Sequence, residues 1–306
     1  MGRYIVRRLL ETIPLLLIIS IFVFMFIHLL PGDPARQMAG LEAPPEEVEA
    51  IREEFGLNKP LLVQYFDYMK GLFTGNMGRS LKSKTPVAEM IGSRFPYTLQ
   101  LVFAGLLWGP ILGILIGVIC AIKRGTWADM TGMLIAICGL SAPGFVLGLV
   151  GIQFFSVQLG LFPTSGLESW KSFILPSVVM GTGIMATLAR YSRSSMLETL
   201  REDYVRTARA KGQKESIVMF RHAFKNSLIQ VVTILGLQIG GLLSGSVITE
   251  TIFSIPGMGR LLTDSIQYRD YPVIQGLLMI FAVEYVMINL IVDVLYGVIN
   301  PKIRFD

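Results

Sequence analysis

The amino-acid sequence predicts an all-α membrane protein with six transmembrane helices and both termini in the cytoplasm. Three observations carry that prediction. Only 16% of the residues are charged, against about 25% in soluble domains. Mean hydropathy is +0.59. Six apolar runs reach the roughly 20 residues that a helix needs to cross a hydrocarbon core of about 30 Å.

The first run extends from Leu9 to Leu30 behind Arg3, Arg7 and Arg8. It is longer than a secretory apolar region, and LPGDPARQMAG lacks a small-x-small cleavage site, so a retained anchor is expected. Val6 stands where a myristoylation signal needs Ser or Thr. The other spans are expected at 97 to 122, 131 to 158, 173 to 190, 228 to 250 and 274 to 299. Of 27 Lys and Arg residues, 16 fall in the N-terminus, the 123 to 130 turn, the 190 to 226 loop and the C-terminal tail. The opposite short loops hold only Lys171, Arg260 and Arg269, which puts both termini on the cytoplasmic side. The net charge of +5 is therefore explained by membrane flanks, including contact with membrane lipid, and calls for no nucleic acid.

These spans divide the chain into an N-terminal anchor with the first span (1–30), an extracytoplasmic insert with short helices (31–95), a core of spans two to six (96–300) and a cytoplasmic tail (301–306). In the insert, PPEEVEAIREEFG starts a helix at Pro44 and Pro45, puts Glu46 and Glu47 in its first turn, sets Val48, Ile51 and Phe55 on one face and stops at Gly56. PLLVQYFDYMKGLF begins a second at Pro60, with Leu62, Tyr65, Phe66, Met69 and Phe73 on a common side. These helices either cover the outer end of the bundle or form a docking or gating surface.

Glycines recur every fourth residue at Gly105, Gly109, Gly113 and Gly117, and in the pairs Gly144 with Gly148, Gly236 with Gly240 and Gly241 with Gly245. Such a face lets a neighbouring helix approach closely, within the chain or, for the fifth span equally, in another subunit. Ionisable groups inside spans are costly in lipid and mark functional suspects. Glu250 and Glu284, with Gln238, are the candidates for the translocation path; Asp293 is expected in a structural ion pair. Spans five and six, with the 251 to 273 segment and its PGMG turn, are the expected path and outer gate.

Several chemistries have no motif here. Cys120 and Cys138 lie in different spans, without CxxC or a Cys/His cluster, so neither a metal site nor a disulfide framework is expected. His28 and His222 are assigned structural or solvated roles. HExxH, GxSxG and GxxxxGK[ST] are absent, so no catalytic residues and no ATP hydrolysis by this chain are expected.

The 190 to 226 loop is longer than a connector requires. Within it, DYVRTARAKG loads Arg206, Arg209 and Lys211 into the C-terminal half of a short helix, agreeing with the helix dipole. Gly212 ends the helix in a left-handed turn, and QKESIVMFRHAFKN leads back to the membrane at Ser227. Positive charge alone fits anionic headgroups. The small Thr207, Ala208 and Ala210 fit a groove in another protein better, because a lipid-facing amphipathic helix wants large apolar residues.

RTARAKG followed by RHAFKN resembles the cytoplasmic EAA loop of binding-protein-dependent ABC importer permeases, where Glu-Ala-Ala-x-x-x-Gly forms a coupling helix. Aligned on Gly212, this chain has Arg206, Thr207 and Ala208 at the Glu-Ala-Ala positions, so only Ala208 and Gly212 match literally. That departure resembles the dipeptide, oligopeptide, glutathione and nickel branch. FIHLLPGDPA, IFSIPGMGRLLTDSIQYRDYPVIQG and NLIVDVLYGVINPKIR are similar to blocks of the same branch. Asn300, where many members have Asp, points to the glutathione or small-peptide subgroup.

The resemblance implies a type I ABC importer permease fold (MetI-like), multi-pass in the inner membrane of a prokaryote. It also implies a homologous second permease, two ATPase subunits that bind ATP and Mg, and an extracytoplasmic solute-binding protein. Tyr204, Arg206, Thr207, Ala208, Ala210, Lys211 and Gly212 would then couple to the ATPase, and the cargo would be a dipeptide, an oligopeptide or glutathione. Two alternatives stand beside this: an importer of nickel chelates or other small solutes, and a passive channel or membrane scaffold with no ATPase.

Overall fold

A computed structural model describes residues 2–29, 33–40 and 42–299. The start of the PGDPA motif, Asn300 and the expected tail with Lys302 and Arg304 lie outside the described residues, as do the side chains of Arg3 and of residues 243–245. Every regular element among the described residues is helical, apart from one isolated bridge between Arg79 and Pro86. In chain order the α-helices are α1 (Gly2–Leu29), α2 (Pro34–Ala39), α3 (Pro45–Glu54), α4 (Leu61–Thr74), α5 (Val87–Ile122), α6 (Trp127–Ser141) and α7 (Gly144–Gly151). They continue with α8 (Ile174–Thr199), α9 (Asp203–Ala210), α10 (Glu215–Ile217), α11 (Lys225–Phe253), α12 (Met258–Gln267) and α13 (Tyr271–Ile299).

Four stretches are long and apolar enough to cross a membrane unbroken: Arg7–Met25, Val87–Ile122, Trp170–Thr199 and Tyr271–Val294. Two bent pairs bring the count to six if each pair is one span. The expected span at 131 to 158 is one of these, α6 and α7 meeting at 100° with a π-helical turn at Ile152–Gln158 completing the second half. The break falls where Pro143 forces Ala142 out of helical geometry into an extended conformation (φ −77°, ψ 120°). The other pair, Glu215–Leu242 with Ser246–Phe253, bends by 51°.

The chain forms two compact units. One contains residues 99–255 and 288–299. Here the glycine stripe of α5 meets the backbone of α8. A side chain at Gly109 would come within 2.8 Å of the Gly181 carbonyl, and one at Gly113 within 2.6 Å of the Met185 carbonyl; at Gly117 it would run into Ala189. The close approach expected of the second span is thus made within the chain. Trp108 Nε1 reinforces it by donating to the Ser177 carbonyl at 3.1 Å. Gly148 lies against Ile252 and Phe253, and Gly236 against Val292. Gly241 faces open space.

The second unit contains residues 2–98 and 256–287. Val48 and Ile51 of α3 pack on Ala35 of α2, and Arg52 bridges to Asp33, its Nη2 2.6 Å from Oδ2. A second core joins Val87 and Ile91 of α5, Met258 and Leu261 of α12, and Val273 and Leu277 of α13. Met258 N–H donates to Thr98 Oγ1 at 2.9 Å, and Ser80 Oγ donates to Asp270 at 2.5 Å. In the PGMG turn, Gly257 has an ordinary negative φ of −92°, and the left-handed position before it falls on Ser254 (φ 53°). Along α4 the expected common side divides. Gln64, Tyr65 and Tyr68 turn toward α1, while Leu62, Phe66 and Phe73 point outward, being 74%, 69% and 86% exposed.

Candidate coupling site

The loop between α8 and α11 folds into an elbow. Asp203 in the first turn and Arg209 in the last agree with the dipole of α9. The helix ends in a complete Schellman motif, with Gly212 N–H donating to the Arg209 carbonyl at 2.9 Å and Gln213 N–H to the Ala208 carbonyl at 3.4 Å. Gly212 has φ 72°, and a Cβ there would meet nothing within 4 Å. The position therefore demands glycine for its backbone conformation and not for want of space.

The returning segment is one helical stretch with span five. α10 passes through a π-helical turn at Val218–Phe224 directly into α11. Val205 and Ala208 of α9 are buried against Val218, with Leu200 beside them. Arg209 clasps Glu215 with two nitrogens, the closest contact 2.8 Å. Tyr204 Oη donates to the His222 carbonyl at 3.3 Å and accepts from Asn226 Nδ2 at 2.8 Å, and His222 pairs with Gln213 at 2.8 Å. Apolar contact, ion pair and hydrogen bonds together fasten α9 to the foot of α11.

That fastening decides which residues face out. At about 100° per residue, the direction opposite Val205 and Ala208 holds Asp203, Thr207 and Ala210, all exposed. Arg206 and Lys211 flank them, and Tyr204 is partly exposed. Arg206 reaches Asp203 at 3.5 Å across open surface. Ala208, expected on the docking side, instead lies inside the elbow, because Val218 fills the space against it. The small outward face thus rests on Thr207 and Ala210.

The elbow stands on the ends of other spans. Ala223 packs with Met196 of α8 and Ala121 of α5. Ser195 Oγ donates to the Ser227 carbonyl at 3.1 Å. Close by along α8, Arg193 grips Asp129 of α6 through two contacts of 2.6 and 2.7 Å, and Asp129 also accepts from Gly125 N–H at 3.0 Å. Asp129 is buried, and buried ion pairs of this geometry hold only when every charged atom finds a partner.

Of the translocation candidates, Gln238 and Glu250 belong to the first unit and Glu284 to the second. Gln238 donates to Thr187 at 3.3 Å and lines a cleft of about 460 Å³ with Pro143, Gly144, Gly241 and Thr249. Glu250 is fully buried and is not part of that wall. Glu284 belongs to the other unit, with both carboxylate oxygens shielded from solvent. Pro143 and Gly144, which break the third span, were the signal in the sequence for this cleft.

The model of the family described as binding-protein-dependent transport system inner membrane component matches residues 113–305. Its N-terminal companion matches residues 1–102. The chain is 48% identical over 305 residues, the whole of both chains, to the glutathione transport system permease protein GsiC of Escherichia coli (strain K12). It has the same identity and coverage to GsiC of Salmonella choleraesuis (strain SC-B67). Among solved structures, the inward-facing MetNI methionine ABC transporter superposes with TM-score 0.57 at 18% identity, covering 69% of this chain and 96% of that one. An amino acid ABC transporter with histidines gives TM-score 0.57 at 16% identity, covering 68% and 93%. At such identities the likeness is one of fold.

Proposed function

The chain belongs to the family of binding-protein-dependent transport system inner membrane components, and on that premise we propose that it admits glutathione or short peptides, driven by α9 riding on an ATPase. As a permease subunit of an ABC importer it moves its cargo across the inner membrane. The cargo reading rests on the 48% identity to the glutathione permeases over their full length.

In this reading the termini and α9 are cytoplasmic, a homologous permease completes the pathway, and two ATPases bind ATP and Mg. A solute-binding protein delivers cargo at the opposite face. One observation carries the mechanism: α9 is fastened to the foot of α11, and that foot is itself braced on α8 through Ser195 and Ser227, so a displacement of α9 is passed to α11 and from it to α8. Thr207 and Ala210 let the helix settle close to a groove, while Arg206 and Lys211 supply charge at its rim. Gly212 holds the angle of the elbow. A conformational shift requires that the ATPase contact this face differently in its two nucleotide states. The chain binds and moves solute without covalent chemistry.

The test is reconstitution of the chain with its second permease, ATPases and binding protein in liposomes, followed by uptake of labelled glutathione. Uptake should need both ATP and the binding protein. Flux without ATP would replace this reading with a passive channel, and uptake of a nickel chelate in place of glutathione would change the cargo.

A further inference from the structure

Among the described residues of its unit, Leu62, Phe66 and Phe73 of α4 are left exposed, yet the helix runs beside a candidate membrane span. Its register against α1 is antiparallel and continuous. Gln64 Oε1 meets His28 Nε2 at 3.2 Å, the Tyr65 ring packs edge-on and the Tyr68 ring tilted against Phe24 with centroids 5.5 and 5.8 Å away, and Tyr65 Oη bonds Ser20 Oγ at 2.8 Å. Further along, Met69 and Phe73 share an apolar cleft of about 370 Å³ with Ile13, Leu17, Met279 and Val283.

Ile13 and Leu17 lie well inside the span Arg7–Met25. At about 1.5 Å per residue they are roughly 18 and 12 Å along the helix from Met25, the depth of the middle of a hydrocarbon core about 30 Å thick. With Arg7–Met25 crossing the membrane, the far end of α4 lies at the depth of the hydrocarbon core. The chain then turns back at Gly75 (φ 73°) and returns to the start of α5.

The side chains of α4 are sorted to match. Leu62, Phe66, Met69 and Phe73 form one stripe, and Asp67, Lys70 and Thr74 another, about 110° away around the helix. On the polar side, Asp67 is paired with Lys59 at 2.7 Å and, with Tyr68 and Asn76, lines a separate cavity of about 180 Å³, Thr74 Oγ1 donates to the Lys70 carbonyl at 2.9 Å, and Lys70 itself is exposed, with a stem long enough to carry its ammonium away from the apolar stripe. Helices that pack on one another in membranes present small residues for close approach, as α5 does to α8. The outward stripe of α4 has none. We propose that α4 is a half-membrane helix, entering the leaflet at the C-terminal end of α1, and that its apolar stripe and the adjoining cleft hold the acyl chain of a phospholipid.

The test uses the complete reconstituted importer, with Cys120 and Cys138 replaced by Ser and a nitroxide spin label attached at Leu62→Cys or Phe73→Cys. Collision with oxygen, which concentrates in lipid, should exceed collision with a water-soluble nickel chelate, and the ratio should rise at least threefold from position 62 to position 73. Chelate collisions dominating at Phe73→Cys would place α4 in water and overturn the proposal. Exclusion of both reagents would show a protein neighbour, such as the second permease, and overturn it too. The unsubstituted chain gives a second measurement, in vesicles containing phosphatidylethanolamine with a diazirine in mid-acyl chain. Adducts should map to residues 61–74 and 13–17; adducts on other spans with none on 61–74 would contradict it.

Discussion

α9 and α4 are both short helices lying outside the unbroken spans, and both are fixed along one side. α9 is held by Val218, Glu215 and Asn226; α4 is held by Phe24, Ser20 and His28. Their free sides differ. That of α9 is small and flanked by cations at Arg206 and Lys211, whereas that of α4 is a row of large apolar side chains. A small face allows close backbone approach to a shaped protein groove, while a row of Leu and Phe needs only a fluid apolar neighbour. On the proposed reading, side-chain size on the free face is what separates α9 as a protein-docking element from α4 as a lipid-facing one.

Bulk placed on each free face breaks the comparison most sharply. Ala210→Trp should reduce ATP-driven uptake to background, while Phe66→Trp should keep it within about twofold, both read as uptake in liposomes at matched protein. Next comes the elbow. A non-glycine residue in a left-handed conformation costs about 1–2 kcal/mol, so Gly212→Val should lower uptake about tenfold, and more steeply than ATP hydrolysis. Asn tolerates that conformation, so Gly212→Asn should lose no more than about twofold.

The ion pair that ties α6 to α8 is a matter of stability. Asp129→Asn leaves Arg193 without its bidentate partner, and breaking a buried pair costs about 3 kcal/mol. Hydrogen exchange in detergent should accelerate in α6 and α8 and stay unchanged in α4. A smaller loss than these belongs to Arg209 and Glu215, whose side chains are 40% and 55% exposed. Pairs so open contribute at most about 1 kcal/mol. Arg209→Glu should slow uptake a few-fold, and adding Glu215→Arg should restore most of it.

Local punctuation was legible in the sequence where backbone chemistry sets it. Pro44 and Pro45 start α3, Gly56 follows its end, and Gly212 stops α9 in the left-handed turn. The apolar runs marked the four unbroken spans and the two bent pairs, but run length carries no sign of the break at Pro143, whose geometry divides the third one. Orientation about a helix axis was less legible. Periodicity groups Leu62, Phe66, Met69 and Phe73 but does not say what meets them, and it misplaced Tyr65, which Ser20 and Phe24 draw to the other side. Ala208 turned inward because of Val218, a residue beyond the turn and contributed by a π-helical stretch that no local pattern announces.

One measurement addresses both faces together: a short photo-crosslinker on Thr207→Cys or on Phe66→Cys in the complete importer, irradiated with and without ATP. The account predicts adducts from Thr207→Cys to the ATPase, changing in yield with nucleotide, and adducts from Phe66→Cys to phospholipid alone. Phospholipid adducts from Thr207→Cys with no ATPase adduct in either nucleotide state would contradict it.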